Sequence, residues 1–429
     1  MNEDMLELKF IRSSPDVVRA DLKKRGDTEK LAWIDDLLSK DERSREMQVE
    51  INSMRNRRNV ISREINQARK SGKDTSDLLE EAKSLPARIK DAENELAEIQ
   101  DKIRFYQMRI PNILHESVPV GADDSENVEV KRWGEPVVPS FEVKNHGELA
   151  VEKGVAEFER AAKISGSGFY ILKGNLALMD LALQRLAIDL LMERGYTPVM
   201  PPYMMNRAAY EGVTDLADFE NVMYKIDGED EFLIATSEHP MAAMYMDEIF
   251  EEKDLPLKLA GISPCFRREI GSHGLDTKGL FRVHQFNKVE QFIYCKPEDS
   301  WELHEELLKN AEDIFRMLKL PYHVVNICTG DIGTVAAKKY DIEVWMPREE
   351  TYREVVSCSN CTAYQSVRLN IKVRDPHEFE KKDYVHTLNS TAIATTRTLR
   401  AILENCQEED GTVVIPEALR PYMNGAETL

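Results

Sequence analysis

The segment 265–292 combines basic, acidic and aromatic side chains at spacings that suit phosphate and base binding. Arg267 and Glu269 are two residues apart, so in a strand they would share a face, where the cation could bind a phosphate and the carboxylate an amine or a metal. Arg282 and Phe286 follow, four residues apart. An arginine binds phosphate or stacks on a ring, and an aromatic ring offers a stacking surface for a base. The pattern predicts a nucleotide site.

A turn-rich sequence, GSHGLDTKG at 271–279, separates the two halves of this segment. Such a sequence is typical of the connection between two strands, so we expect a hairpin with charged residues at its inner positions. His273 and His284 are either nucleotide contacts or ordinary polar residues, and both interpretations stay open at this point.

Composition limits the class of protein. The 429 residues are enough for two or three domains, and the net charge of -20 argues against nucleic-acid binding by the chain as a whole. Six cysteines do not make a disulfide framework. The N-terminal residues have no apolar core of a signal peptide, and no apolar run is long enough for a membrane span. We therefore expect a cytoplasmic protein with reduced thiols and no membrane association.

The common sequence motifs for other sites are missing or incomplete. Neither GxxxxGK[ST] nor GxGxxG occurs, which excludes the two common phosphate loops. Cys358 and Cys361 form a CxxC pair, but a structural zinc site needs four ligands and no second pair exists. We expect no zinc. Met200, Met204 and Met205 are expected to pack in the interior.

The N-terminal part carries a heptad pattern. Apolar residues recur at alternating spacings of three and four on both sides of a Gly-containing turn, SGKD at 71–74, with Arg58 as one polar exception. The pattern predicts an antiparallel helical hairpin. Because an interior proline disrupts a helix, we expect a bend at 84–86, with Ser84 capping a restart before Pro86. The repeat positions are Met47, Ile51, Met54, Ile61, Ile65, Ala68, Leu78, Ala82, Leu85, Ile89, Ala92, Leu96, Ile99 and Ile103.

The predicted tip of this hairpin is basic. Between 55 and 73 only Glu64 opposes seven cations. Since the Debye length is about 8 Å at physiological salt, a tip well removed from an acidic body can still attract phosphate. A merely solvated coiled-coil surface is the alternative. The seven cations are Arg55, Arg57, Arg58, Arg63, Arg69, Lys70 and Lys73.

The remainder of the chain mixes strand and helix patterns. Strands are predicted at 232–235, 289–295, 322–327 and 341–346, and helices at 175–194, 300–318 and 393–405. Several strands lack an intervening helix, which favours an α+β domain on an antiparallel sheet. We divide the chain into a helical arm domain (1–112), a linker (113–135) that begins in a proline-containing stretch, and a second domain (136–429).

Three segments together resemble the motifs of class II aminoacyl-tRNA synthetases. Phe266-Arg267-x-Glu269, the loop and Arg282-x-x-x-Phe286 look like motif 2, ERGYTPVMPP at 193–202 is similar to motif 1, and LNSTAIATTRTLRAILEN at 388–405 to motif 3. Further segments, including MLELKFIRSSPDVVRADLKKRG, TSE at 236–238, NKVEQF, EVVSCSN and VIPEALRPYM, resemble the seryl-tRNA synthetase family. The likeness extends over essentially the whole chain.

The resemblance implies a class II antiparallel-sheet catalytic domain, a homodimer formed through motif 1, and an arm that reaches tRNA(Ser) and, as the family suggests, tRNA(Sec). It implies ATP and L-serine as substrates, with Mg²⁺ held by Glu354 and Ser357. Arg267, Glu269 and Arg397 would be catalytic. ATP would be bound by Arg267, Arg268, Glu269, Arg282, Val283, Phe286, Glu354, Val355, Val356, Ser357 and Arg397, and serine by Thr236, Ser237, Glu238, Arg267, Glu290, Asn389 and Thr391.

The physical interpretation agrees with these implied roles. Activation brings two anions together, a carboxylate and the α-phosphate, so cations such as Arg267 and Arg282 are needed. The reaction requires little proton transfer. One departure is the stretch from Ser390 to Thr396, where the family is often richer in glycine. Two alternatives remain: a non-catalytic RNA-binding relative, and a ligase that loads a carrier protein, which should lack the hairpin.

Overall fold

The computed structural model describes residues 7–215, 222–269, 279–374 and 382–429. The chain forms two compact units, Leu6–Ile110 and a second unit that contains Pro111–Leu429. The predicted loop at 271–278, with His273, lies outside the described residues. The domain limits at 112 and 135 stay predictions, and within the predicted linker Val128–Trp133 form a strand of the large sheet.

The first unit is helical. Its two long helices pack side by side in antiparallel order. The Tyr106 hydroxyl donates a hydrogen bond to Asp36 near one end of the pair, and Arg57 forms an ion pair with Glu81 near the other. The heptad residues are buried between them, in one cluster around Met47 and another around Ile61. The predicted helical hairpin is confirmed. The helices are α1 (Leu8–Ser13), α2 (Pro15–Lys24), α3 (Thr28–Lys70) and α4 (Ser76–Gln107).

The predicted restart of the second long helix is wrong. Helix α4 runs through Pro86 without interruption. Proline removes one backbone donor, but Leu85 and Ile89 are buried on the face toward α3, and tertiary packing of this kind outweighs the local penalty of about 3 kcal/mol. Ser84 does not cap a new helix; its hydroxyl donates to the carbonyl oxygen of Glu81 at 3.0 Å.

The second unit is built on an eight-stranded sheet. Its strands are β1 (Val128–Trp133), β4 (Thr197–Val199), β8 (Leu257–Phe266), β9 (Gln285–Cys295), β10 (Tyr322–Asn326), β11 (Lys338–Met346), β12 (Thr351–Asn360) and β15 (His386–Ala394). They lie in the order β1-β10-β11-β12-β15-β9-β8-β4, and all neighbours are antiparallel except β4 and β8. The predicted α+β fold on an antiparallel sheet is confirmed.

Helices cover the sheet and bury a large apolar core. Three long helices pack against the sheet, at the positions that the sequence predicted. The helices are α5 (His146–Glu152), α6 (Phe158–Ser165), α7 (Gly174–Glu193), α8 (Arg207–Val213), α9 (Glu238–Ala243), α10 (Ser300–Met317), α11 (Tyr364–Leu369) and α12 (Thr395–Asn405). The smaller strands are β2 (Ala156–Glu157), β3 (Ile171–Leu172), β5 (Met204–Asn206), β6 (Glu231–Leu233), β7 (Ile249–Glu251), β13 (Lys372–Arg374) and β14 (Lys382–Tyr384).

The segment after α7 exposes apolar side chains. Met205 is buried as expected, but Met200 is 74% exposed and Met204 48%, so the expectation that they pack in the interior of the chain is wrong. Leu181 on α7 is exposed as well. Among the helices of the described residues, none is both long and apolar enough to cross a bilayer.

Candidate active site

The central strands of the sheet bring the predicted site residues together. Strand β9 lies between β8 and β15, so Glu290 faces Gly261 on one side and Thr391 on the other. Strand β15 then pairs with β12. The predicted hairpin of β8 and β9 is confirmed, and the segments that sequence reasoning treated as separate motifs are neighbours in one sheet.

A buried cluster of charged and hydroxyl groups surrounds Glu290. The ammonium of Lys288 lies 2.5 Å from a carboxylate oxygen of Glu290 and donates to the Thr236 hydroxyl at 2.8 Å. The hydroxyl of Thr391 donates to Glu290 at 3.3 Å. Lys288 is 5% exposed and Glu290 1%. Ion pairs this deeply buried are costly unless their remaining hydrogen bonds are made.

A second carboxylate, Glu238, borders this cluster. It accepts hydrogen bonds from the side-chain amides of Gln365 and Asn389, each at 3.1 Å, and its backbone N–H donates to the Thr236 hydroxyl. Ser237 is buried, and its hydroxyl donates to the carbonyl oxygen of Gly261 at 3.3 Å. The predicted serine-binding residues are therefore gathered in one place, although their roles stay predictions.

Electrostatics in the cluster are set by burial and by two cations. Burial, with the nearby charge of Glu290, raises the pKa of Glu238 to about 7. Burial also raises the pKa of Glu290, and the positive charges of Lys288 and Arg267 oppose this. Burial, together with the same two cations, lowers the pKa of His239 to about 3, which keeps that imidazole neutral.

Arg267 lies just beyond the end of β8. Its backbone N–H donates to the carbonyl oxygen of His284 at 2.9 Å, and its guanidinium lies 5.2 Å from the centre of the Phe286 ring. The expectation that Arg267 and Glu269 share the face of a strand is wrong, because β8 ends at Phe266 and Glu269 has a left-handed backbone with φ of 45°. The backbone N–H of Arg268 donates to the carbonyl oxygen of Val222.

A β-bulge shapes the site on β12. Ile342 faces Val356 and the next residue of β11, Glu343, faces Glu354, so Val355 has no partner on β11. Residues three apart in a regular strand face opposite sides, but one extra residue allows Glu354 and Ser357 to face the same side. This geometry explains how two residues with the spacing of Glu354 and Ser357 can act together.

Arg397 neutralises the first of these residues. Near the start of α12, its guanidinium donates to the carbonyl oxygen of Glu354 at 3.0 Å and lies 3.1 Å from its carboxylate. Burial opposes ionisation of Glu354, but Arg397 and Lys339 prevail and lower its pKa. The guanidinium of Arg397 also lies 5.2 Å from the centre of the Phe281 ring. Val355 and Val356 are buried.

Two further predicted contacts lie on the segment that leads into β9. Arg282 is exposed, whereas Val283 is buried. His284 stacks on Phe169 with centroids 5.2 Å apart, and the hydroxyl of Tyr224 lies 2.7 Å from its Nδ1. His284 therefore has protein contacts of its own, with Phe169 and Tyr224.

Sequence reasoning missed two charged residues. Lys288 stands between Phe286 and Glu290 at the alternating spacing of a strand, and this period could have revealed it. Asp341 could not be found in this way, because its position opposite Ser357 depends on the pairing of β11 with β12. Its Oδ1 is buried and has no hydrogen-bond partner within the described residues, and its Oδ2 lies 3.3 Å from Lys339.

The two thiols of the CxxC pair are buried neighbours of the site. The Asn389 amide donates to the sulfur of Cys361 at 3.4 Å, and Cys358 lies against the carbonyl oxygen of His304. Burial raises the pKa of both thiols, which keeps them protonated.

Comparison with known proteins assigns the two units. Residues 5–114 match the family of seryl-tRNA synthetase N-terminal domains, and residues 222–406 match the class II tRNA synthetase core domains of the G, H, P, S and T type. A serine–tRNA ligase of Methanoculleus marisnigri is 74% identical over 99% of this chain and 100% of its own length. The chain belongs to the seryl-tRNA synthetase family.

Solved structures of seryl-tRNA synthetases agree. The Pyrococcus horikoshii seryl-tRNA synthetase, crystallised with ATP, is 50% identical and superposes with a TM-score of 0.92, covering 98% of each chain. The Naegleria fowleri cytoplasmic serine–tRNA ligase, in complex with AMP, is 34% identical with a TM-score of 0.87, covering 99% of this chain and 98% of that one. The prediction of a serine–tRNA ligase is confirmed.

The raised pKa of Glu238 gives a first prediction. Glu238 should titrate near pH 7 rather than near 4.5, because burial and Glu290 disfavour its charge. Carbon NMR of protein labelled at the glutamate carboxyls should show one resonance with this midpoint, absent in Glu238→Gln. In Lys288→Met the midpoint should rise further, since the variant lacks a cation that favours the charged form.

The matched control is Glu148→Gln, which removes an exposed glutamate and should keep the unusual resonance. If no glutamate in the wild-type protein titrated above pH 6, the electrostatic description of this cluster would be wrong.

Proposed function

We propose that this site joins serine to ATP, forming seryl-adenylate and pyrophosphate, and then transfers serine to the 3′ end of tRNA(Ser). One observation carries the proposal. The positive charge of Arg267 helps to lower the pKa of Glu290 and Glu238 in one cluster and that of Glu354 in the other, and its guanidinium lies over the ring of Phe286. A bond between an amino acid and a nucleotide would form at such a place.

The nucleotide side has the groups that ATP requires. Arg267 grips the α-phosphate and Phe286 offers its ring to adenine, with the Val283 side chain and the guanidinium of Arg397 closing that pocket. The exposed Arg282 is available for the outer phosphates, and Glu269 assists at the nucleotide. Backbone groups of Arg268, Val355 and Val356 complete the proposed contacts. The P. horikoshii relative, which was crystallised with ATP, supports ATP as the nucleotide.

The reaction needs little acid–base chemistry. The serine carboxylate is already ionised at neutral pH and attacks the α-phosphorus directly, while pyrophosphate leaves with the bonding electron pair. The obstacle is repulsion between two anions, and a fixed guanidinium in a partly buried site lowers it without reorganisation. In the second step the terminal ribose hydroxyl of tRNA attacks the serine carbonyl carbon and AMP leaves.

Serine is selected by buried polar groups. Glu290, Glu238 and Thr236 bind its ammonium, and Thr391, beside Asn389, meets its hydroxyl. Alanine lacks that hydroxyl and would leave buried donors and acceptors unpaired, which costs a factor of up to about 10⁴–10⁵ in sites of this type. Threonine adds a methyl group, and the packed walls of the site reject it by lack of space.

The residues on β12 fit a magnesium ion. Mg²⁺ takes oxygen ligands and is usually held by one or two carboxylates together with substrate phosphates. Glu354 and Ser357 supply such oxygens beside the bulge, and Asp341, whose Oδ1 is buried with no hydrogen-bond partner within the described residues, pairs with Ser357 across the two strands. When bound, the ion neutralises charge on the phosphates. No group of three metal-ligating His, Cys, Asp or Glu side chains occurs within the described residues.

The helical arm binds the tRNA in this proposal. Two of its seven predicted contacts are held in ion pairs, Arg55 with Glu93 and Arg57 with Glu81 and Glu64. The other five are exposed and form no ion pair within the described part of the chain. Those five, Arg58, Arg63, Arg69, Lys70 and Lys73, are available for phosphates. The family resemblance extends the proposal to tRNA(Sec).

We propose that the protein is a cytoplasmic homodimer. Exposed apolar side chains occur on and near the motif 1 segment in the sequence: Met200 lies within it, Met204 follows it and Leu181 precedes it on α7. Exposed apolar groups of this kind mark association surfaces when they are contiguous. The family resemblance of motif 1 supports the same assignment.

Arg267→Ala tests the adenylation step. Without the guanidinium, serine-dependent exchange of pyrophosphate into ATP should fall by at least about 10²-fold, because the transferring phosphate then lacks a positioned positive charge. Arg132→Ala, which removes an arginine paired with Glu129 on the edge strand β1, should keep exchange within about twofold. Near-normal exchange in the Arg267 variant would contradict the assigned role.

Neutralising the five exposed cations of the arm tests tRNA binding. Their joint replacement by Gln should leave serine-dependent exchange intact and weaken charging. The slope of log affinity against log salt should fall by about 0.7–0.9 for each phosphate that one of these cations neutralises in the wild type. Arg57→Gln is the matched control, since that guanidinium is engaged by Glu81 and Glu64. If charging were unchanged in the fivefold variant, the tip would be only a solvated surface.

A further inference from the structure

We propose that Lys288 binds the carboxylate of the amino-acid substrate, so that the buried Lys288–Glu290 pair matches both charges of the zwitterion. This inference deepens the proposed function and rests on it. The substrate ammonium would lie against Glu290 and its carboxylate against Lys288. Four charges would then alternate in sign around a closed ring.

The contacts of Lys288 leave one donor for a ligand. A lysine ammonium has three N–H donors. One is directed at Glu290 and one at the Thr236 hydroxyl. The third has no protein partner within the described residues, although the side chain is only 5% exposed. A buried donor that lacks a partner is costly, so a carboxylate placed there would be stabilised.

The position along β9 brings this donor toward the reacting phosphate. Phe286, Lys288 and Glu290 alternate along the strand and therefore share one face. The guanidinium of Arg267 lies over the Phe286 ring. A carboxylate bound by Lys288 would thus be held between the ammonium contacts at Glu290 and the phosphate contact at Arg267, which is where a nucleophile is required.

The neighbouring charges support an anion at this place. Lys288 and Arg267 both act on buried His239 and help lower its pKa, after the larger effect of burial. Two cations that converge on one buried region would repel each other. The carboxylates of Glu290 and Glu238 compensate on one side, and the carboxylate of the substrate would compensate on the other.

A purely structural role makes a different prediction. If Lys288 only neutralised Glu290, its removal would affect every ligand that carries an ammonium, whether or not a carboxylate is present. If Lys288 binds the carboxylate, its removal would affect serine much more than 2-aminoethanol, which is serine without its carboxylate. A thermodynamic cycle over the two ligands and two proteins separates these cases.

The experiment measures the affinity of serine by calorimetry and that of 2-aminoethanol by competition, in the wild type and in Lys288→Met. The affinity ratio of serine to 2-aminoethanol should fall roughly 10- to 100-fold in the variant, as expected for a charge-assisted hydrogen bond. Lys288→Arg should recover a large part of the ratio because the cation is kept. Lys258→Met is the control: it removes a lysine of β8 that pairs with Glu306 of α10, and it should leave the affinity ratio unchanged.

A ratio in Lys288→Met within threefold of the wild-type ratio would overturn the role of Lys288 and leave the proposed function intact. A wild type that binds 2-aminoethanol as tightly as serine would also overturn it. Failure of the wild type to bind serine at all would contradict the proposed function itself. Far-ultraviolet circular dichroism and the melting temperature establish that each variant is folded.

Discussion

Buried charges of alternating sign are the constraint on which this structure depends. The pairing of β8, β9, β15 and β12 carries ionisable side chains into the interior, where an unpaired charge would be prohibitively costly. The cost is offset locally, because the buried Lys288 and Glu290 form an ion pair, and the partly exposed Arg397 and Glu354 form another. The positive charge of Arg267 favours the ionised form of the carboxylate in both pairs. In the proposed function, a substrate binds where its own charges continue this alternation.

The arrangement also explains why the site can be rigid without being inert. The carboxylates of the site have protein partners, such as the Gln365 and Asn389 amides that donate to Glu238. Such fixed partners orient the charge in advance, so that little reorganisation is left for the reaction. The pKa of Glu238 is nevertheless raised, because its hydrogen-bond partners and the nearby cations do not fully offset the effect of burial.

The sequence predicted what depends on local period and missed what depends on strand pairing. The heptads of the arm and the helix and strand patterns of the second unit were readable because their periods of 3.5, 3.6 and 2 are local. Pro86 was misjudged, since packing of Leu85 and Ile89 against α3 outweighs the proline penalty. The bulge at Val355 and the position of Asp341 arise from a register between distant segments, which no local pattern contains.

For the site itself, composition and spacing indicated phosphate and base binding around Arg267, and the detailed roles came only from the resemblance of several segments to one family. Met200 and Met204 were expected inside and are exposed, whereas Met205 is buried, because amino-acid type alone does not decide whether an apolar side chain is buried within the chain. Lys288 was overlooked although its spacing was visible, since a lysine in a strand is ordinarily a solvated residue.

The most direct test of the charge arrangement is a crystal structure with a stable sulfamoyl analogue of seryl-adenylate. We expect the seryl ammonium against Glu290, the sulfamoyl group at Arg267 and the adenine ring on Phe286. An analogue bound with its seryl group away from Glu290, or with no contact between the sulfamoyl oxygens and Arg267, would contradict it.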